Sequence, residues 1–153
     1  MKTLPVRAAV RGATLMYLID THVISELRKR ERANAGVSRF FRGLQESGSA
    51  CYLSSITVGE LGRGVTMCRH RGDSAQAQVL ESWLTSITTN FADSILPFCS
   101  NSAQIWGHLC APDNTNVVDK QIAATALAYD LTLVTRNVRH VAGTGVRVLN
   151  PFG

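Results

Sequence analysis

Short apolar runs along the chain are separated by longer amphipathic segments. The run Leu15 to Ile19 is apolar throughout, as expected for a strand buried on both faces of a parallel sheet. Similar runs rich in β-forming residues occur at 50–55, 94–98, 131–135 and 146–149. Apolar residues at helical spacing predict helices over 21–27, 34–47, 73–90, 101–110 and 116–129, and a glycine-containing helix after the second strand. In the helix predicted over 116–129, the side chains expected to face the core are Val118, Ile122, Ala126 and Tyr129.

The order of these elements predicts an α/β fold. Alternation of strand and helix favours right-handed crossovers, and therefore an open, mainly parallel sheet with helices on both faces. The two helices between the second and third strands are expected to form an inserted helical hairpin. Residues 1–15 contain basic residues, a proline and a glycine without periodicity, so we expect a flexible N-terminal extension before a single domain over 16–153.

Composition narrows the class of protein. The chain has 153 residues, of which 45% are hydrophobic, and this length suits one core. No apolar run approaches the roughly 18 residues of a membrane span, and a signal-peptide run is missing, so we expect a cytoplasmic protein with no membrane partner. The net charge of +5 is compatible with a polyanionic partner without requiring one. The four cysteines lack metal-ligand spacing, and we expect small core residues at Cys51, Cys68, Cys99 and Cys110.

Three acidic residues occupy comparable places in the pattern. Asp20 follows the first strand, Glu60 lies in the helix after the second, and Asp119 lies in the first turn of the helix that precedes LTLVT. The carboxyl ends of parallel strands meet at one edge of the sheet, where ligands bind. Two like charges about 4 Å apart repel by about 4 kcal/mol at an effective dielectric constant of 20. A divalent cation would remove this repulsion, and oxygen-only ligands favour Mg²⁺ or Mn²⁺.

Each acid also has a structural interpretation. Asp20 could cap the helix that follows it, and Thr57 with Glu60 matches the T-x-x-E capping box. Asn116 and Asp119 could form a similar box. The helix that carries Glu60 contains glycines that cost about 1 kcal/mol each relative to alanine, which suggests close approach of its backbone to another group, at Gly59, Gly62 and Gly64.

At these residues the sequence resembles the PIN-domain ribonucleases, and within them the VapC-type toxins of bacterial toxin–antitoxin pairs. The resemblance rests on LIDTHVISEL around Asp20, SSITVGELGRG around Glu60, VVDKQIAATAL around Asp119, LTLVTRN, and the closing GTGVRVLNPF. It covers nearly everything from Met16 onward. It implies a PIN-like fold and a metal-dependent endoribonuclease whose acids bind Mg²⁺ or Mn²⁺, activate a water and leave a 5′-phosphate. It also implies a cognate antitoxin and, commonly, a homodimer.

The expected site follows from this resemblance. Asp20, Glu60 and Asp119 are the expected catalytic residues and metal ligands, with RNA as the substrate. Four further residues are expected to contact the substrate or to orient the ligands, namely Thr21, Arg136, Asn137 and His140. Two residues are expected at the rim, Ser25 and Glu26. The candidate phosphate contacts are Arg28, Lys29, Arg30, Arg63 and Arg139.

The sequence departs from the family pattern at two positions. His140 stands where family members usually carry a fourth acid, and His22 stands where an asparagine is common. Loss of the fourth carboxylate leaves open whether one or two metal ions bind, and an imidazole ligand would favour Mn²⁺. It also leaves open a solvent-facing turn residue at His140, and a catalytically impaired RNA- or protein-binding module of the same fold. A receiver-like phosphoacceptor is disfavoured because no acidic pair precedes the first strand.

Overall fold

The computed structural model describes residues 15–153, so the expected N-terminal extension lies, apart from Leu15, outside the described residues. These residues form a five-stranded, wholly parallel sheet with the strand order β3-β2-β1-β4-β5. The strands are β1 (Tyr17–Ile19), β2 (Cys51–Ser54), β3 (Ile95–Leu96), β4 (Thr132–Val134) and β5 (Val148–Leu149). All five lie within the predicted runs and are shorter than them.

The helices between the strands confirm the predicted alternation. They are α1 (Thr21–Glu26), α2 (Ala35–Ser47), α3 (Ser55–His70), α4 (Ser74–Asn90), α5 (Ser100–Cys110) and α6 (Val117–Ala128). Short 3₁₀ helices lie at Leu27–Arg32, Ala92–Ser94 and Val138–Val141. Within residues 15–153 no helix combines the length and the apolar character needed to cross a membrane.

Helices cover both faces of the sheet, as predicted. Successive side chains of a strand point to opposite faces, so each strand contributes to two cores. On one face, strand residues Ile19, Leu53 and Val134 pack with α1, α2 and the end of α4. On the other face, the neighbouring residues pack mainly against α6, and this cluster contains Leu18, Tyr52, Leu133, Ile122, Ala123 and Ala126.

The predicted helical hairpin is formed by α3 and α4. Its helices share a small apolar cluster of Val65, Cys68 and Ala77, against which Leu80 and Leu84 pack. Asp73 caps α4 by accepting a hydrogen bond of 3.1 Å from the backbone N–H of Gln76.

The first turn of α6 faces differently from the prediction. Val118, expected inward, is 39% exposed, whereas Lys120 is only 4% exposed. The Lys120 ammonium donates to the backbone carbonyl of Asp113 and lies 3.5 Å from the Asp113 carboxylate. A buried lysine needs such partners, and this one fixes the loop between α5 and α6.

The cysteine and glycine predictions hold only in part. Cys51 and Cys68 are buried, but Cys99 is exposed and caps α5, with its sulfur 3.3 Å from the Ser102 hydroxyl. A Cβ added at any of the three α3 glycines would meet nothing within 4 Å, so no other part of the described chain approaches the backbone there. Close approach occurs instead at Gly36, where a Cβ would lie 2.1 Å from the carbonyl oxygen of Pro151.

Strand β1 lies at the centre of the sheet and sets the position of the site. From β1 the chain continues to β2 and β3 on one side, whereas β4 and β5 add on the other side. The order of strands therefore reverses between β1 and β4. Crevices at the carboxyl ends of such a pair are the usual ligand sites of open α/β sheets.

Candidate active site

Asp20 lies at the carboxyl end of β1 and joins this strand to β4. Its Oδ1 accepts a hydrogen bond of 2.8 Å from the backbone N–H of Thr21, and its Oδ2 accepts one of 2.6 Å from the Thr135 hydroxyl. The carboxylate is therefore both the cap of α1 and a bridge across the sheet. Ile19 pairs with Val134, so Asp20 and Thr135 occupy equivalent positions at the ends of adjacent strands.

Sequence reasoning missed Thr135. It is the last residue of the apolar run LTLVT, and it is 1% exposed in the structure. One signal could have identified it: Thr135 is a polar residue at the end of a buried strand, and the strand beside it in the sheet is followed by an acid.

Glu60 points back to α1 from the second turn of α3. Its Oε1 accepts a hydrogen bond of 2.6 Å from the Thr21 hydroxyl, which also lies 3.2 Å from the Thr57 hydroxyl. The predicted capping box of Thr57 and Glu60 is wrong because α3 begins earlier, where Ser54 caps it by accepting from the N–H of Ile56. Glu60 is thus free of its own helix end and faces Asp20.

Asp119 connects α6 to the segment that follows β4. Its Oδ1 lies 3.5 Å from the Asn137 side-chain nitrogen, and its Oδ2 lies 2.9 Å from Nδ1 of His140. The capping box predicted for Asn116 and Asp119 is wrong, because Asn116 has a left-handed backbone with φ of 52° and makes no side-chain cap. His140 is half-exposed but contacts Asp119, so it is not a simple solvent-facing residue.

Burial and neighbouring charge raise the pKa of two of the three acids. Burial raises the pKa of Asp20, and the charge of Asp119 adds to this rise, whereas hydrogen bonds from Thr135 and Thr21 oppose it. Burial also raises the pKa of Glu60, and the charges of Asp20 and Asp119 raise it further against the hydrogen bond from Thr21. The side chains predicted from the sequence to form one site therefore act on each other.

The donor atoms of this cluster suit a hard cation. They are carboxylate and hydroxyl oxygens, the ligands that Mg²⁺ and Mn²⁺ prefer. Across residues 15–153, no three His, Cys, Asp or Glu side chains are arranged to hold a metal ion together. An ion shared by Asp20, Glu60 and Asp119 therefore requires these side chains to reorient.

A cavity of about 490 Å³ extends from this cluster between α1 and the α3–α4 hairpin. Its lining includes the predicted residues Thr21, Ser25, Arg28, Glu60 and Arg63, together with His22. It continues along the hairpin past Arg71 to the apolar side chains of Leu80, Trp83 and Leu84. Part of this concave surface is basic and adjoins the carboxylates.

The remaining predicted residues divide between the site and the scaffold. Arg136, Asn137, Arg139 and His140 line a separate recess beside Asp119. Glu26, expected at the rim, is buried and accepts a hydrogen bond of 2.8 Å from the N–H of Asn34, next to the start of α2. Lys29 pairs with Glu26 at 2.9 Å, which leaves it less available for a phosphate. Arg30 lies in the 3₁₀ segment with φ of 52°.

The chain is similar to known proteins in sequence and in fold. Residues 17–142 match the PIN domain family. The chain is 35% identical over 143 residues to Toxin FitB of Neisseria gonorrhoeae, covering 90% of this chain and 99% of that protein. It is 30% identical over 143 residues to VapC ribonuclease Y4jK of Sinorhizobium fredii, with 90% and 98% covered. A solved structure of FitAB bound to an IR36 DNA fragment superposes with a TM-score of 0.75 at 32% identity, covering 90% of this chain and 96% of that one.

Proposed function

Because the chain belongs to the PIN-domain family, within the group that includes VapC-type and FitB toxins, we propose that it is the toxin of a toxin–antitoxin pair. Its proposed activity is that of a divalent-metal-dependent endoribonuclease, which hydrolyses phosphodiester bonds in RNA. The observation that carries this proposal is the pair of hydrogen bonds at Thr21, whose N–H donates to Asp20 and whose hydroxyl donates to Glu60, so that both acids meet at the carboxyl end of β1. The charge of Asp119 raises the pKa of both. Such a cluster of acids is costly unless it serves to bind a cation.

We propose Mg²⁺ or Mn²⁺ as the cofactor and the three carboxylates as its ligands. A bound divalent ion would lower the pKa of water and offset the charge of the phosphodiester. Thr135 and Thr21 hold the carboxylate of Asp20, while Asn137 and His140 hold that of Asp119. Partners of this kind orient ligating carboxylates and raise the affinity of a site for its ion.

In the hydrolysis, an oxygen of water bonds to phosphorus, the bond from phosphorus to the 3′-oxygen breaks, and the 3′-oxygen takes up a proton. The products are a 5′-phosphate and a 3′-hydroxyl. Glu60 is the proposed acceptor of the proton of the attacking water because it lines the cavity through which the RNA would reach the cluster. Its hydrogen bond from Thr21 fixes which of its oxygens remains available.

The basic cavity between α1 and the hairpin supports RNA as the substrate. Arg28, Arg63 and Arg71 line it on the route to Glu60, and none of them forms a salt bridge within residues 15–153. Arginine contacts to phosphates supply affinity without base information. Which RNA is cut therefore depends on other contacts.

We further propose a cognate antitoxin and a homodimer in the cytoplasm. The antitoxin is supported by the names of the relatives, one a toxin that has been solved as part of FitAB. The homodimer is supported by a half-exposed apolar surface at α5 and the start of α6, which includes Val117 and Val118. Light scattering of the purified chain tests the homodimer. Light scattering of a second sample, coexpressed with a gene found directly upstream, tests the antitoxin.

A second candidate is an RNA- or protein-binding module that has lost catalysis. The observation that favours it is His140, whose imidazole contacts Asp119 where relatives usually carry an acid. A module of this kind would bind RNA or its partner without cutting the strand.

Cleavage of RNA by the purified protein separates the two candidates. The nuclease is expected to cut RNA with Mn²⁺ or Mg²⁺ and to stop when EDTA is added. Asp20→Asn is expected to abolish cleavage and growth inhibition and to leave the fold intact. Asp93→Asn is the matched control, because Asp93 is exposed and precedes β3 at the opposite edge of the sheet. A fully active Asp20→Asn protein would refute the assignment, and wild-type protein that binds RNA without cutting it would favour the binding module.

A further inference from the structure

A second concave surface lies beside Asp119, on the side away from the α3–α4 hairpin. This recess has a volume of about 400 Å³. It is lined by Arg136, Asn137, Val138, Arg139, His140 and Asn150. The lining contains two arginines, no acid and one apolar side chain. Asn137 and His140 also contact Asp119, so an occupant of the recess would be continuous with the carboxylate cluster.

The two arginines of the recess are available to a ligand. Both are exposed, and neither Arg136 nor Arg139 forms a salt bridge within the part of the chain that the structure describes. The guanidinium carbon of Arg136 lies 4.9 Å from the centroid of the Phe152 ring. Such a contact occupies one face of the guanidinium and leaves its in-plane N–H donors free, which is the geometry that binds phosphate oxygens.

The backbone of Phe152 is held by the last turn of the described chain, and its side chain packs against the core cluster on the α1–α2 face of the sheet. Asn150 accepts a hydrogen bond of 3.0 Å from the N–H of Phe152, and Pro151 between them is buried. The Pro151 carbonyl packs against the start of α2, where a Cβ at Gly36 would lie 2.1 Å from it. The turn is therefore fixed on the body of the domain and presents Phe152 to Arg136.

We propose that this recess is a phosphate subsite for the RNA strand, and that Phe152 is a positioning residue that holds Arg136 in it. The subsite takes a backbone phosphate adjacent to the one that is cleaved, and this inference rests on the proposed ribonuclease function. Its two arginines, without an acid in the lining, favour a phosphodiester, because arginine is the side chain that most often contacts backbone phosphates. Arg136 supplies the charge, and Asn150 supplies the turn that places the ring.

The test uses the cleavage-inactive Asp20→Asn protein and a fluorescent single-stranded RNA, with affinity measured by anisotropy at several salt concentrations. Arg136→Gln is expected to weaken binding about 3- to 10-fold and to reduce the slope of log affinity against log salt by about one. Phe152→Leu keeps the apolar volume and loses the ring face, and it is expected to weaken binding roughly 2- to 5-fold. Phe152→Tyr keeps the ring and should bind the RNA as tightly as the Asp20→Asn parent.

Two comparisons separate positioning from a structural role. Phe152→Leu should have no effect when Arg136→Gln is already present, because the ring acts through that arginine. Arg147→Gln, which removes the same charge at the opposite edge of the sheet, should leave affinity within about 2-fold of the parent. In protein with Asp20 intact, Phe152→Leu should raise KM and leave kcat unchanged.

Several outcomes would overturn the inference. One is an effect of Phe152→Leu that persists in the Arg136→Gln background, and another is an unchanged salt slope in Arg136→Gln. Inorganic phosphate bound as tightly as the RNA would show a site for the free ion instead. If both variants weaken a purified partner protein and not RNA, the occupant is that protein. Failure of the wild-type protein to cut RNA would remove the proposed function, whereas these binding measurements would still decide whether the recess holds a phosphate.

Discussion

The Thr135 hydroxyl donates a hydrogen bond of 2.6 Å to Oδ2 of Asp20, and both side chains are almost completely buried. This bond joins the ends of β4 and β1, two strands that are separated by more than a hundred residues in the chain. It fixes one oxygen of the Asp20 carboxylate, while the other oxygen accepts from the N–H of Thr21.

Replacement of Thr135 by valine should therefore be costly. The substitution keeps the shape and removes the donor, which leaves a buried carboxylate oxygen without a partner. The expected loss is about 1–3 kcal/mol in the free energy of unfolding, measured by urea denaturation. Thr135→Ser retains a hydroxyl and should lose less. An unchanged free energy of unfolding in Thr135→Val would mean that the hydrogen bond to Asp20 contributes nothing to stability.

A divalent cation should stabilise the wild-type protein. Mn²⁺ or Mg²⁺ that binds the folded chain alone shifts the thermal midpoint upward, and EDTA should reverse the shift. Asp20→Asn should lose most of this shift, while Asp93→Asn, at the other edge of the sheet, should keep it. The measurement is thermal unfolding followed by circular dichroism across a metal titration. An undiminished shift in Asp20→Asn would remove Asp20 from the set of ligands.

The pH dependence of stability should change when Glu60 is replaced by glutamine. Burial and the charges of Asp20 and Asp119 raise the pKa of Glu60 above its usual 4.5, so the folded chain holds this proton more tightly than the unfolded chain. The contribution of Glu60 to the free energy of unfolding thus falls as pH rises from about 4.5 through the raised pKa, and is constant above it. Glu60→Gln should remove that fall in metal-free protein. Denaturation in EDTA across this pH range, with wild type and variant in parallel, measures the difference.

His140 should matter for metal binding through Asp119. Nδ1 of His140 lies 2.9 Å from Oδ2 of Asp119, and the tautomer with its proton on Nδ1 would hold that oxygen in place. His140→Ala should weaken Mn²⁺ affinity about 10- to 100-fold, as measured by isothermal titration calorimetry. His140→Asn places a donor near the position of Nδ1 and should recover part of the loss. A histidine that merely faces solvent would give the same affinity in all three proteins.

Two glycines of α2 should respond oppositely to alanine. At Gly36 a Cβ would meet the Pro151 carbonyl at 2.1 Å, and the backbone must shift, at an expected cost of about 1–3 kcal/mol. At Gly43, in the same helix, a Cβ meets nothing within 4 Å, and alanine should stabilise by about 0.5–1 kcal/mol through helix propensity. Urea denaturation of both variants measures the pair. Similar changes in both would mean that the last turn adapts to the added methyl group.

Much of the fold was predictable because burial leaves a periodic pattern. The apolar strands and the amphipathic α2 and α4 repeat over several residues, so their positions were predicted to within a few residues. The orientation of the first turn of α6 was not predictable, because it depends on a residue outside the helix. Lys120 is buried because it binds Asp113, and Val118 is therefore exposed.

The candidate site was predictable for the acids and not for their partners. Asp20 and Glu60 could be assigned to one edge of the sheet because parallel strands share it. The two capping boxes were wrong for different reasons. Helix α3 begins at Ser55, before Thr57, whereas α6 begins directly after Asn116 but the left-handed backbone of Asn116 prevents a side-chain cap. Thr135 escaped notice because a threonine in a strand is ordinary until its neighbour across the sheet is known.

The reversal of strand order beside β1 has a consequence for when the protein can act. Asp20 and Glu60 are synthesised early, whereas Asp119 and Thr135 are synthesised much later. The cluster is complete only after β4 has paired with β1. On the proposed function, a partly synthesised chain is therefore expected to be inactive, and activity is expected only near the completion of synthesis.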